Sequence, residues 1–251
     1  MWPYPKIVAH RGGGILAPEN TLAAMRFAHA RGFRAVEFDV MLAADGVPVL
    51  MHDPQFGRTV QGKGAVAAHT AAQLQSMDAG GWLGPEFAGE PVPTFAEVVA
   101  YCRAHELWMN VEIKPSPGAE ADTGAVVARD VQRLFADLPP GAPAIPLLSS
   151  FSMAALNAAR DAAPDVPRAW LVDRIPADWQ AQCAALGVLS LNVGHRRLDR
   201  AAARRIKNAG LGLFCYTVND PQRAADLLAW GVDGFCTDRL DLIGPDFGAS
   251  S

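Results

Sequence analysis

Residues 6–40 read KIVAHRGGGILAPENTLAAMRFAHARGFRAVEFDV and place two short apolar runs on either side of an Ala-rich segment. The runs at 6–10 and 35–40 are typical of buried strands. The segment 21–31 is typical of a helix, and Gly32 stands where a helix commonly ends. A strand, a helix and a second strand in this order predict a βαβ unit with parallel strands.

The same alternation continues along the chain. Further strands are predicted at 107–113, 144–149, 167–172, 188–193, 211–216 and 233–237. Further helices are predicted at 94–105, 122–136, 152–162, 176–185, 199–209 and 221–229. Eight strands in a chain of 251 residues fit a closed (β/α)8 barrel, the TIM-barrel architecture, and a doubly wound open sheet is the alternative.

Residues 54–93 interrupt this alternation. They are rich in Gly and Ala, follow the second strand and precede the helix at 94–105. We expect a small insertion on the side of the barrel that carries the βα loops, with one short helix near 70–77. Long loops inside a compact domain often act as lids, and a decorative surface insertion is the alternative. The sequence thus predicts one domain over residues 1–251.

The composition limits the class of protein. Half of the residues are hydrophobic and 19% are charged, with a formal net charge of −4, which excludes a globally disordered chain and argues against a nucleic-acid partner. The four cysteines form no C-x-x-C pair and are expected to be free thiols in a reducing compartment. Without a spanning apolar run or an N-terminal leader, we expect a cytoplasmic protein with no stable membrane insertion. The sequence leaves the oligomeric state open.

Acidic residues cluster on two neighbouring strands of the predicted barrel. Glu37 and Asp39 lie two residues apart on the second strand, so their side chains share one face, and Glu112 lies on the third strand. Any one of these carboxylates alone is more typical of a salt bridge. Three together indicate a site for a hard divalent cation, Mg²⁺ or Ca²⁺.

Two histidines are expected beside this cluster. His10 ends the first strand. Asp45-Gly46 is a hairpin turn signal, and a two-residue turn there places His52 opposite Asp39. An imidazole pair suits phosphoester hydrolysis, since one group can deprotonate a nucleophile while the other protonates the leaving oxygen.

Two cations complete the predicted site. Arg11 follows His10, and Lys114 follows Glu112 by two residues on the third strand. A guanidinium matches phosphate oxygens as a fork, and an ammonium acts as a point charge. With a metal and two histidines, these cations indicate an anionic substrate, most simply a phosphate ester.

The chain resembles the glycerophosphodiester phosphodiesterases, in particular their cytoplasmic short type. The motifs that carry the resemblance occur in the family's order and span nearly the whole chain. They are H-R-G (His10–Gly12), P-E-N-T (Pro18–Thr21), E-x-D (Glu37 and Asp39), H-D (His52 and Asp53), E-x-K (Glu112 and Lys114), S-F (Ser150 and Phe151) and G-V-D-G-x-x-T-D (Gly231–Asp238).

The resemblance implies a (β/α)8 barrel and a role for each group of residues. The implied roles are metal ligation by Glu37, Asp39 and Glu112, acid–base catalysis by His10 and His52, phosphate binding by Arg11 and Lys114, and support beside the site by Glu19 and Asn20. Trp82, Phe151 and Tyr216 are expected to form a wall for the substrate. Tyr216 stands where the family often has Trp, which leaves the preferred alcohol open. For Asp238 we expect loop capping and barrel closure.

The expected activity is metal-dependent hydrolysis of a small-molecule glycerophosphodiester to glycerol 3-phosphate and an alcohol. A related enzyme of the lysophospholipase D type is one alternative, and a non-catalytic barrel that binds phosphate esters is another. The sequence leaves open whether water or the glycerol 2-hydroxyl attacks, and which histidine is the acid.

Overall fold

Eight parallel strands close into a barrel in the computed structural model, which describes residues 2–248. The barrel strands are β1 (Ile7–Ala9), β2 (Ala35–Leu42), β4 (Trp108–Ile113), β5 (Leu147–Ser150), β6 (Arg168–Val172), β7 (Ser190–Gly194), β8 (Gly212–Tyr216) and β9 (Gly234–Thr237), and a ninth strand of the described residues is β3 (Pro48–Leu50). Because β1 pairs with both β2 and β9, the ring is complete, and β3 adds antiparallel to β2 outside it. The predicted (β/α)8 barrel is confirmed. Residue 1 and residues 249–251 of the expected domain lie outside the described residues.

Helices connect the successive barrel strands. They are α1 (Leu22–Ala30), α3 (Phe95–Ala104), α4 (Glu120–Leu134), α5 (Met153–Ala162), α6 (Trp179–Leu186), α7 (Arg200–Asn208) and α8 (Pro221–Ala229), and the short helix α2 (Ala71–Gln75) lies in the insertion. Side-chain oxygens cap several of their first turns, as Thr21 does for α1 and Asp220 for α8. Each predicted barrel helix and strand occurs within three residues of its expected ends. Among residues 2–248, no helix combines the length and apolar character that crossing a bilayer requires.

Aromatic rings fill the end of the barrel at which the strands begin. Tyr4 stacks on Trp108 with ring centroids 4.2 Å apart, and Trp2 stacks on Phe214 at 5.8 Å. These rings pack against buried residues that point into the barrel, such as Val8. A ligand can therefore enter only at the opposite end, where the strands finish and where barrel active sites lie.

The insertion at 54–93 has a small apolar core of its own. Val60, Val66 and Leu74 are buried against Met41 and Val49 of the β2–β3 hairpin. The short helix expected at 70–77 is present as α2. The insertion is thus packed on the hairpin that carries the chain from β2 toward His52.

The hairpin after β2 is present, but its predicted register is wrong by one residue. Val40 pairs with Leu50, so Asp39 faces Met51 rather than His52. The Met51 N–H donates to the Asp39 carbonyl oxygen at 3.2 Å. His52 lies beyond the end of β3 and is not part of the ladder.

A three-residue turn accounts for the shift. The Ala43 N–H donates to the Val47 carbonyl at 2.9 Å, and the Gly46 N–H donates to the Ala43 carbonyl at 2.9 Å. Gly46 has a φ of 76°, the left-handed conformation of a glycine that follows a type I turn in a hairpin. The Asp45-Gly46 signal therefore marks the turn correctly but not its length.

We expect Gly46→Ala to lower the free energy of unfolding by about 1 kcal/mol, because an L side chain is strained at positive φ. No atom lies within 4 Å of the added methyl group, so a clash does not contribute. Gly244→Ala is the matched control, since its methyl group also meets open space and its φ is not left-handed. Urea denaturation of both variants measures the difference, and equal stabilities would contradict the assigned turn.

Candidate active site

Three carboxylates meet where β2 and β4 end. Asp39 pairs with Glu112 across the two strands, and Glu37 lies two residues before Asp39 on the same face. Ligand oxygens of the three side chains all lie within 4.8 Å of one another, the only such group of His, Cys, Asp or Glu found in residues 2–248. Asp39 is 1% exposed and Glu37 is 4% exposed. Such burial of like charges requires compensating positive charge.

Two cations contact these carboxylates. The Lys114 ammonium lies 3.2 Å from Asp39 Oδ1 and 3.1 Å from Glu112 Oε1. Arg11 Nε lies 3.5 Å from Asp39 Oδ2. Three acids thus share two cations, and every ligand atom is a carboxylate oxygen. This donor set fits a hard divalent cation.

The carboxyl groups of the cluster differ in proton affinity. Burial would raise the pKa of Asp39, but the charges of Lys114 and Arg11 outweigh it and hold that pKa below its usual value. Burial, reinforced by the Asp39 carboxylate, raises the pKa of Glu112 to about 8. Burial also raises the pKa of Glu37. Without a further cation, the cluster therefore binds protons more tightly than free carboxylates do.

His10 is oriented by an acid from the last strand of the barrel. Its Nδ1 lies 2.5 Å from Asp238 Oδ1, and its Nε2 lies 3.7 Å from Glu37 Oε2. Asp238 Oδ2 also accepts from Asn219 Nδ2 at 2.8 Å. Burial would lower the pKa of His10, but the Asp238 and Glu37 carboxylates raise it above its usual value. The sequence expectation of loop capping for Asp238 missed this contact.

His52 reaches the same mouth from the segment after β3. Its Nδ1 lies 2.6 Å from Asp53 Oδ1, and Asp39, Arg11 and Lys114 are the charges that act on it. Burial lowers the pKa of His52, and the two cations lower it further. The structure therefore brings both histidines to the carboxylate cluster, although His52 arrives by a route other than the predicted ladder.

Arg58, which lies in the insertion, forms hydrogen bonds with both Asp53 and Glu19. Arg58 donates from Nε to Asp53 Oδ2 at 2.6 Å and from its two terminal nitrogens to Glu19 at 2.6 and 2.8 Å. Glu19 in turn accepts from Arg11 Nη1 at 2.8 Å. Arg58 belongs to no motif, and its role depends on how the insertion folds back, so the sequence carried no signal for it.

The loop after β1 holds the acidic strand in place. Asn20 donates from Nδ2 to Asp39 Oδ2 at 2.8 Å, and its Oδ1 accepts from the Asp39 backbone N–H at 3.0 Å. The Arg11 backbone N–H donates to Glu37 Oε2 at 3.0 Å. Arg11 and Asn20 have φ values of 50° and 59°, a left-handed conformation that costs energy in non-glycine residues and clusters at functional sites.

The three residues expected to form a substrate wall lie at different places. Tyr216 lines a narrow cavity of about 30 Å³ together with His10, Glu37 and Glu112. Phe151 packs edge-on against Tyr216 at 5.7 Å and is 43% exposed. The structure thus joins Tyr216 and Phe151 at the mouth of the barrel.

Trp82 lies in the insertion, whereas Phe151 and Tyr216 lie at the ends of barrel strands. Its indole N–H donates to the Ala79 carbonyl at 3.0 Å, and the side chain is 37% exposed. This hydrogen bond fixes the ring within its own segment, and a place for Trp82 in a substrate wall stays a prediction.

The chain is similar to known proteins over most of its length. The glycerophosphoryl diester phosphodiesterase family matches residues 10–242. The protein YhdW of Bacillus subtilis (strain 168) is 34% identical over 244 residues, which cover 94% of this chain and 96% of that protein. A glycerophosphodiester phosphodiesterase of the same strain is 28% identical over 247 residues, which cover 94% and 84%.

A solved structure gives the same result for the fold. A phosphodiesterase of Oleispira antarctica, in complex with the product sn-glycerol-3-phosphate, superposes with a TM-score of 0.87 at 34% sequence identity. The superposition covers 94% of this chain and 93% of that one.

We expect Asp238→Asn to lower the pKa of His10, because the amide removes the negative charge that favours the imidazolium. The histidine ring signals, followed by NMR as a function of pH without added metal, measure this pKa. Asp241→Asn is the matched control, because Asp241 pairs with Arg239 and not with a histidine. A His10 pKa that is the same in both variants would show that Asp238 does not stabilise the charged ring.

Proposed function

As this chain belongs to the glycerophosphoryl diester phosphodiesterase family, we propose that it hydrolyses glycerophosphodiesters with one divalent cation and two histidines. The products are glycerol 3-phosphate and an alcohol. Its family makes the chain a glycerophosphodiester phosphodiesterase. The bound metal and the roles of the individual residues are what we propose. The observation that carries them is the convergence of Glu37, Asp39 and Glu112 beside two histidines.

Glu37, Asp39 and Glu112 would hold the cation, Mg²⁺ or Ca²⁺. The fit rests on their donor set, which is entirely carboxylate oxygen, and on the raised pKa of Glu112, a carboxyl group that a bound cation would keep ionised beside Lys114 and Arg11. When bound, such an ion polarises the phosphoryl oxygens. Asn20 keeps Asp39 in position through its two hydrogen bonds.

His10 and His52 would exchange the protons of the reaction. The Nδ1 of each ring contacts a carboxylate, Asp238 or Asp53, so Nε2 is the atom that faces the substrate. One histidine removes the proton of the attacking oxygen, which comes from water or from the glycerol 2-hydroxyl. Attack by the 2-hydroxyl would form a cyclic phosphate, which water then opens to glycerol 3-phosphate. The other gives a proton to the alcohol oxygen as its bond to phosphorus breaks.

Arg11 and Lys114 would bind the phosphodiester anion. Arg11 Nε is buried, makes no hydrogen bond among residues 2–248 and lies 3.5 Å from Asp39 Oδ2, so its charge is held at the carboxylate cluster where the phosphate would sit. Lys114 lies between Asp39 and Glu112, and an arriving phosphate would compete for its charge. Phe151 and Tyr216 would line the approach to this centre.

The alternatives have less support. A lysophospholipase D-type enzyme needs an apolar groove for an acyl chain. A cavity of about 750 Å³ beside the site is instead lined by polar and charged residues such as Asp173, Arg174 and Asn219. A non-catalytic barrel that only binds phosphate esters would have no need of two histidines that are each oriented by a carboxylate.

We also propose that the protein is cytoplasmic and that residues 1–251 form one domain. All four cysteines are buried free thiols, which fits a reducing compartment. The insertion at 54–93 shares its apolar core with the β2–β3 hairpin, which fits a part of the same domain.

We expect His10→Ala and His52→Ala each to lower kcat by about 10² or more, because acid–base groups contribute that much. Metal affinity should change little, since the carboxylates hold the ion. The measurement is release of glycerol 3-phosphate from an unactivated glycerophosphodiester, with His105→Ala as the control because His105 lies at the end of α3. Near-normal turnover in both site variants would refute the two-histidine mechanism.

A substrate with a nitrophenol leaving group separates the two roles. This leaving group departs without a proton, so activity should return only in the variant that lacks the general acid. The variant that lacks the general base should lose the same factor in kcat with either substrate. Recovery of both variants to the same extent would contradict a division of roles.

We expect Glu112→Gln to weaken metal affinity, because it removes one of three charged ligands, and added metal should partly restore the rate. Glu120→Gln is the control, since Glu120 starts α4 and does not belong to the cluster. A chelator should abolish hydrolysis by the wild type. Hydrolysis that continues at full rate in excess chelator would refute the metal requirement.

A further inference from the structure

A large cavity lies next to the catalytic mouth, on the side formed by the ends of β6 to β9. Its volume is about 750 Å³, far more than a glycerol molecule occupies. It adjoins the proposed catalytic centre, since Tyr216 lines both cavities and Asp238 contacts His10. A phosphodiester whose phosphate sits at the carboxylate cluster can therefore extend one of its two alcohol groups into this space.

Three arginines line this cavity without a carboxylate partner. Arg174, Arg196 and Arg197 are exposed, and none takes part in a salt bridge among residues 2–248. The two acids of the cavity already have partners. Asp173 accepts from the Tyr216 hydroxyl at 3.2 Å, and Asp238 is held by His10 and Asn219. The Tyr216 hydroxyl is neutral, so Asp173 keeps its charge, and three guanidinium groups against two carboxylates leave the space with a net positive charge.

Hydrogen bonds from Arg223 hold the backbone segment that carries Arg196 and Arg197. The Arg223 guanidinium donates to the carbonyl of Leu198 at 2.8 Å and to the carbonyl of His195. Its plane also lies over the Trp230 ring at 4.6 Å. Arg196 and Arg197 follow His195 directly, so the half-buried Arg223 of α8 holds the backbone to which they are attached.

From these observations we propose that the cavity binds the alcohol part of the substrate and selects alcohols that carry a second phosphate group. The inference rests on the proposed function and adds the substrate class. Glycerol, the invariant part of the substrate, is uncharged and does not account for three unpaired guanidinium groups. Guanidinium forks match phosphate oxygens, so a second phosphate on the variable alcohol is the group that suits this cavity.

A matched pair of substrates tests this preference. Glycerophosphoinositol and glycerophosphoinositol 4-phosphate share the glycerol, the scissile bond and the ring, and differ only in the second phosphate. Their kcat/KM values are measured for the wild type and for the variant Arg174→Gln/Arg196→Gln/Arg197→Gln. Arg200→Gln/Arg204→Gln/Arg205→Gln is the control, because it removes the same charge from exposed positions of α7 that do not line the cavity.

We expect the wild type and the control to favour the phosphorylated substrate by about tenfold in kcat/KM, which corresponds to modest ion pairs at an exposed site. The cavity variant should lose this preference and keep its rate with glycerophosphoinositol. Glycerophosphocholine, whose alcohol is cationic, should be a poorer substrate of the wild type and should improve in the cavity variant.

Three results would overturn the inference. Equal kcat/KM for the matched pair in the wild type would show that the second phosphate is not recognised. An equal loss for both substrates in the cavity variant would show that the arginines only attract the shared phosphodiester. A preference that the control also loses would show a general effect of net charge. If the wild type cleaves neither substrate, the proposed function itself has failed, a result distinct from these three.

Discussion

The burial of three carboxylates at the ends of two neighbouring strands is the constraint on which the rest of the site depends. Glu37, Asp39 and Glu112 have oxygens within 4.8 Å of one another, and two of the three side chains are almost fully shielded from water. Carboxylates in such a place must be balanced by positive charge or take up protons. Lys114 and Arg11 supply part of that charge. A divalent cation would supply the remainder.

Other features of the mouth support this cluster. The left-handed residues Arg11 and Asn20 direct a backbone N–H and a side-chain amide at the acidic strand. Arg58 ties Asp53 to Glu19, and through Glu19 to Arg11. The insertion at 54–93 thus does more than cover the barrel, because it connects the residue that holds His52 to a residue that balances the acids.

The sequence was sufficient to predict the fold and to identify most of the residues that the structure brings together at the barrel mouth. Hydrophobic residues repeat differently along strands and helices, so the alternation of the two patterns predicted the barrel. Side chains two residues apart on a strand share one face, which placed Glu37 and Asp39 together. The register of the hairpin was predicted wrongly because Asp45-Gly46 fits both a two-residue and a three-residue turn. Only the closed hydrogen-bond ladder distinguishes them.

The contacts that the sequence did not predict join residues that are far apart along the chain. Asp238 contacts His10 because the ring brings β9 beside β1, across a separation of 228 residues. Arg58 reaches Glu19 because the insertion folds back on the hairpin. Neither contact follows from a local period or a short motif, so each needed the three-dimensional structure.

The most direct test of the central claim is anomalous diffraction from crystals of the wild-type protein grown with Mn²⁺, which shares the preference of Mg²⁺ for oxygen ligands. The account predicts one strong peak bounded by carboxylate oxygens of Glu37, Asp39 and Glu112. A peak elsewhere, or a cluster still bridged by Lys114 with no ion at saturating Mn²⁺, would contradict it.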